Sequence, residues 1–187
     1  MGLTKLSNWP SPKKTKMLLI SSIILYLIVY PILNYYYIIS NYPVSVFESQ
    51  LSFSGAVIKS HLRTMSSAEI DLYRIAQIID YPYMLAYGTL YFSLSLYISR
   101  KFDEDSGWRK TGYISAIFGV ISACCDATEN IFILLMLTDP QGFPEEWAIT
   151  HSCFALVKFT LMGIIIIWII LAVLTLLIRK LKNKSAK

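Results

Sequence analysis

The sequence predicts an all-α integral membrane protein, a four-helix up-down transmembrane bundle with a short surface helix in its first outer loop. Three observations carry that reading. Only 16% of the residues are charged and 55% are hydrophobic, whereas a soluble domain carries about a quarter charged residues. Four segments, 17–39, 73–98, 111–137 and 147–178, each supply the roughly 20 apolar residues that cross about 30 Å of hydrocarbon. The basic residues alternate between the segments. Lys5, Lys13, Lys14 and Lys16 precede the first, Arg100, Lys101, Arg109 and Lys110 separate the second and third, and Arg179, Lys180, Lys182, Lys184 and Lys187 follow the fourth. The two other loops hold only Lys59 and Arg63, with Arg74 at the entrance to the second span. The positive-inside rule then places both termini and the 100–110 loop in the cytoplasm. Residues 1–187 form a single polytopic membrane domain on this reading, and which membrane it occupies is left open.

The elements follow in order. The tail "MGLTKLSNWPSPKK" is polar and contains two prolines, so it is expected to be loosely ordered. Leu at its sixth position departs from the myristoylation pattern. The first apolar run is longer than the 7–15 residues of a signal-peptide core, and it reads as a retained helix. In the outer loop 40–72, "AVIKSHLRTM" spaces Ala56, Val57, Leu62 and Met65 for a short helix lying on the membrane surface. "SSAE" at 66–69 is a capping box, which starts the second long helix before the membrane. Pro82 lies inside that helix and removes one backbone hydrogen bond. Short loops, "RKFDEDSGWRK" and "TDPQGFPEEW", make the later helices antiparallel neighbours.

The spans carry polar residues at one level. Counting inward from the outer ends at 1.5 Å per residue, Glu129 lies about 12 Å deep, Asp126 about 16 Å, Asp80 about 10 Å and Lys158 about 15 Å, with His151 nearer the surface. All fall in the outer half of the bilayer. Asp126, Glu129 and Asn130 share one helix face at i, i+3, i+4 spacing. Tyr73, Gln77, Asp80 and Tyr87 stripe the second span, His151 and Lys158 the fourth, and Tyr26, Tyr30 and Asn34 the first. Exposing each charge to lipid would cost about 2.5–3.5 kcal/mol, so the stripes are expected to converge. Lys158 pairs with Asp126 or Glu129 in the simplest arrangement, and Arg74 or protonation is left to offset the remaining acids.

Several chemistries are disfavoured. Cys124 and Cys125 are adjacent and Cys153 is distant, so three buried thiols serving as small apolar residues fit better than a redox pair. His61 falls in the outer loop, outside the bundle, which leaves His151 without a partner for a bis-histidine haem. "DATE" at 126–129 offers a divalent metal two carboxylates, a weak pattern; no metal and no cofactor is assigned. The basic C-terminus suits a topology anchor or anionic lipid and not nucleic acid.

"IIDYP" on the second helix, D-x-x-E-N on the third and a lysine on the fourth together resemble a loose group of uncharacterised small four-helix membrane proteins. The likeness covers roughly residues 48–160 and implies topology without an activity.

The function expected from these residues is binding or processing of an amphipathic, lipid-like molecule. Asp126, Glu129 and Asp80 are the candidate catalytic acids, with Asn130, Lys158, Tyr87, His151 and Gln77 as ligand-binding groups. A structural or accessory membrane subunit is the alternative, and cation or proton translocation the third reading. The expected partners are the lipid bilayer, a lipid-like ligand and a homo-oligomer or larger membrane complex.

Overall fold

The computed structural model describes residues 3–185. It is all-α: a 3-10 helix (Leu3–Ser7) is followed by α1 (Pro12–Ile39), α2 (Val46–Gln50), α3 (Gly55–Arg63), α4 (Ser67–Ser99), α5 (Gly107–Met136) and α6 (Glu145–Ser185), with no strand among the described residues. Local chemistry sets the helix ends. Ser11 caps α1, with Pro12 in the first turn where a missing N–H costs nothing. The expected capping box opens α4: Ser66 N donates to Glu69 Oε2 at 2.8 Å, and Glu69 N donates to Ser66 Oγ at 3.3 Å. The Ser66 backbone amide, joined by the Asn41 side chain and the Ser66 hydroxyl, holds the Glu69 carboxyl below its ordinary range. Pro82 is accommodated within α4, and Pro31 within α1.

Three helices, α1, α5 and α6, are long and apolar enough to cross a membrane. Their outward faces carry large apolar side chains such as Leu27 (66% exposed) and Ile167 (61% exposed), far beyond the apolar patches of a water-soluble surface. They mark a membrane-embedded protein. Helix α4 falls outside that set because Gln77, Asp80, Pro82 and a series of tyrosines lower its hydropathy. Those same residues are what its central position requires. Helix α1 packs on α4, α4 on α5, and α5 on α6, while α1 and α6 share no extended packing.

Between α1 and α4 the chain folds over the end of this assembly, and three expectations need correction there and elsewhere. Helix α3 forms where the spacing predicts, but Ala56 and Val57 are exposed, and the buried side is Ile58 and Leu62. These join Met65, Tyr73, Met136 and Phe143 in one cluster, so α3 packs on protein in place of lying apolar side down on lipid. The N-terminal segment is docked as well. Arg100 donates to the Leu6 carbonyl from Nη2 (2.7 Å) and Nε (3.2 Å), and to Thr15 Oγ1 from Nη1 (2.8 Å), while Leu6 packs with Leu96, Tyr113 and Ala116. A polar tail becomes ordered because its carbonyl supplies an acceptor that a helix-end arginine lacks.

Finally, all three cysteines are free and only Cys125 is buried; Cys124 and Cys153 turn outward on α5 and α6. His61 lies on α3, edge-on to the Tyr42 ring at 6.0 Å.

Removing the arginine clamp should free the tail. In uncharged micelles, Arg100→Gln is expected to raise the rate of tryptic cleavage after Lys5 about tenfold or more, since charged hydrogen bonds contribute about 1.5–3 kcal/mol each. An unchanged rate would show that Leu6 docks through its apolar contacts alone.

Candidate functional site

Helical periodicity brings the polar stripes of α4, α5 and α6 to one place. Asp80, Asp126, Glu129, Asn130, Lys158, Tyr87, His151 and Gln77 are all at most 5% exposed, and they form two groups: Lys158 with Asp126, Glu129, Tyr87 and His151, and Asp80 with Asn130 and Gln77. Lys158 is the hub of the first. Nζ donates to Asp126 Oδ1 at 2.8 Å and to Gln50 Oε1 at 3.2 Å. It also lies 2.6 Å from Glu129 Oε2. That last contact is an ion pair without hydrogen-bond geometry, since neither Glu129 oxygen makes a hydrogen bond. A buried ammonium in this setting needs acceptors on every side, and two carboxylates with one amide oxygen supply them. Phe159 adds a ring 4.7 Å below the charge.

The other members complete the two groups. Tyr87 donates to Asp126 Oδ2 at 2.7 Å, which fixes the second oxygen of that carboxylate. Asn130 donates to Asp80 Oδ2 at 2.8 Å and to the Gln77 carbonyl at 3.3 Å, joining α5 to α4. Gln77 in turn donates to Tyr37 on α1 at 3.0 Å. His151 Nε2 stands 3.4 Å from Glu129 Oε1, but its two ring nitrogens are buried without a hydrogen bond. Arg74, expected as a rim counter-charge, is occupied elsewhere: it pairs with Asp71 and donates to the Leu137 carbonyl.

Charge is therefore unevenly matched. Lys158 serves Asp126 and Glu129 together, while Asp80 has no basic partner within 4 Å among the described residues and accepts from a neutral amide. Among the described residues no group of His, Cys, Asp and Glu is arranged to hold a metal ion. The reason at 126–129 is geometric, because the lysine ammonium occupies the position between the two carboxylates where an ion would sit.

Gln50 has no counterpart in the residues expected from sequence. It lies on α2, the five-residue helix between α1 and α3, and is 4% exposed. Nothing in "VFESQ" separates it from an ordinary loop glutamine. Beside it α2 closes a pocket of about 310 Å³ between α1 and α6, with α4 behind. Its walls are Tyr30, Leu33, Asn34 and Tyr37 of α1, Val46 and Phe47 of α2, Tyr83 of α4 and Phe159 of α6, and Asp80 and Gln50 complete the lining. Tyr26 and Tyr30 stack on each other at 5.5 Å and lean on Tyr83, so the tyrosine stripe of α1 forms the flank of this opening.

The arrangement thus divides the candidate residues. Asp126, Glu129, Lys158, His151 and Asn130 lie inside the protein and off the pocket lining, whereas Asp80 is both part of the second group and part of the pocket wall. No protein-family model, curated protein or solved structure matches this chain.

Proposed function

We propose that this protein is a four-span membrane protein that binds an amphipathic, lipid-like molecule in the pocket between α1 and α6. Helix α4 is the remaining span, which completes an up-down bundle with both termini on the cytoplasmic side. Contacts at one end support this topology: Arg100 joins the start of α1, and Arg179 near the end of α6 lies 3.6 Å from Asp103 in the 100–106 loop. The basic residues of all three segments thereby gather on one side, as the positive-inside rule requires.

One observation carries the binding reading: an ionisable group, Asp80, borders an apolar pocket of small-ligand size. The gap between α1 and α6 gives that pocket a lateral entrance, and Tyr30 and Phe47, 46% and 59% exposed, stand at its edge. A molecule with an apolar body and a polar end matches such a lining. The rival reading, a structural subunit, is favoured by the closure of Lys158 on Gln50, Asp126 and Glu129, which would serve simply to hold α5, α6 and α2 in register.

Filling the pocket separates the two. Asn34 is an exposed wall residue outside the charged cluster, so Asn34→Trp blocks the space without disturbing Lys158. Lipids extracted from wild type and Asn34→Trp, purified identically and matched in thermal stability, would be compared by mass spectrometry. The expected result is a lipid species retained by wild type and at least tenfold depleted in the variant. Identical lipid profiles in two equally stable proteins would favour the structural reading.

A further inference from the structure

The pocket also has a sign. Resting on the proposal that it takes an amphiphile, we infer that the headgroup it selects is a positively charged amine or ammonium, seated against Asp80 and walled by Tyr30, Tyr37, Tyr83, Phe47 and Phe159.

Charge supplies the first argument. Of the three buried carboxylates in these groups, two share Lys158 and the third, Asp80, has no basic partner within 4 Å among the described residues. Asp80 is 5% exposed, and it is the one of these carboxylates on the pocket lining. No lysine, arginine or histidine lines that pocket. A cation entering it would meet a carboxylate in a medium of low dielectric, where opposite charges attract strongly. An anionic headgroup would meet the same carboxylate and no basic side chain on the lining.

The walls supply the second. Aromatic faces attract cations through the ring quadrupole, and cages of such rings recognise alkylated ammonium groups. Phe47 and Phe159 pack with centroids 5.0 Å apart on one side, and Tyr30 and Tyr83 6.0 Å apart on another. Gln50 Oε1 and the Tyr37 hydroxyl add acceptors. The protein already uses this recipe once: Lys158 Nζ lies between two carboxylates and 4.7 Å over Phe159, a ring that the pocket shares. At about 310 Å³ the space suits a headgroup and its first carbons, leaving the alkyl tail to run out through the gap between α1 and α6 into lipid.

The test uses the full chain in micelles of an uncharged maltoside detergent and three probes with one tail: hexadecylamine, hexadecanol and hexadecanoic acid, with butylamine as a tailless control. Binding would be read by native mass spectrometry at matched probe-to-detergent ratios near pH 7. Hexadecylamine is expected to bind wild type at least tenfold more tightly than hexadecanol, with hexadecanoic acid weakest. Asp80→Asn should remove that preference, and Asn34→Trp should weaken all three tailed probes. If hexadecanol binds wild type as well as hexadecylamine while Asn34→Trp still abolishes both, the pocket takes an amphiphile but the cationic headgroup is wrong. If butylamine equals hexadecylamine, the site takes a soluble amine and the lipid source is wrong. No binding of any probe overturns the headgroup inference and the amphiphile reading alike. Should Asp80→Asn prove unstable, the ranking of the probes on wild type decides the matter.

Discussion

Lys158→Met is expected to destabilise this protein by about 3–5 kcal/mol, the cost of removing one partner from a buried ion pair. The variant would leave Asp126 and Glu129 facing one another with no cation, at 4% and 0% exposure. It would also strip Gln50 of its bond to α6 and so loosen α2. Reversible unfolding in mixed micelles measures the loss. The informative companion is the triple variant Lys158→Met, Asp126→Leu, Glu129→Met, which removes all three charges together. Replacing an entire buried ionic group by well-packed apolar residues of similar volume is often close to neutral, so the triple variant should recover most of the stability. A Lys158→Met protein within 1 kcal/mol of wild type would contradict the hub role. The same reasoning makes Asp126→Asn/Glu129→Gln a stability perturbation first, since it strands a buried ammonium. Asp80, bonded to a neutral amide, is the better handle on function.

The second large effect lies on the seam between α4 and α5. A Cβ added at Gly119 would stand 2.7 Å from Tyr91 Cβ and 3.0 Å from the Phe92 backbone nitrogen. Neither obstacle can turn aside by changing a rotamer, so the helices must part. Overpacking of this kind costs about 1–3 kcal/mol, and Gly119→Val should fall at the upper end. Gly163 on α6 provides the contrast. Its added Cβ meets nothing within 4 Å, and Gly163→Ala should be neutral or stabilising by about 0.5–1 kcal/mol through helix propensity. The same seam carries the Asn130–Asp80 and Tyr87–Asp126 bonds. Gly119→Val should therefore reduce lipid retention along with stability, whereas Gly163→Ala should leave both intact. Equal behaviour of the two variants would mean that α4 and α5 do not depend on close approach.

Local pattern made much of this legible in the sequence. Long apolar runs marked the membrane character, "SSAE" marked the start of α4, and the i, i+3, i+4 spacing of Asp126, Glu129 and Asn130 put them on one face. Depth counting placed Asp80 and Lys158 at a similar level, and all eight candidate residues are buried, in one group around Lys158 and another around Asp80. These features depend on neighbours along one helix, where periodicity and rise are fixed by backbone geometry. Hydropathy by itself does not group α4 with the other long helices, because Gln77, Asp80, Pro82 and its tyrosines lower it.

What only the tertiary structure decided is which charge meets which, and which of them faces a cavity. Sequence left Lys158 free to choose between Asp126 and Glu129; packing gives it both, and sends Arg74 to Asp71 and a carbonyl instead. Gln50 reaches the site because the segment between α1 and α4 folds back over it, a contact across 108 residues that no local spacing encodes. Asp80 differs from the other two acids solely because α1 and α6 fail to close against each other beside it. Pairing and cavities are properties of how helices meet. A sequence fixes the face each helix presents, and only packing fixes what stands opposite.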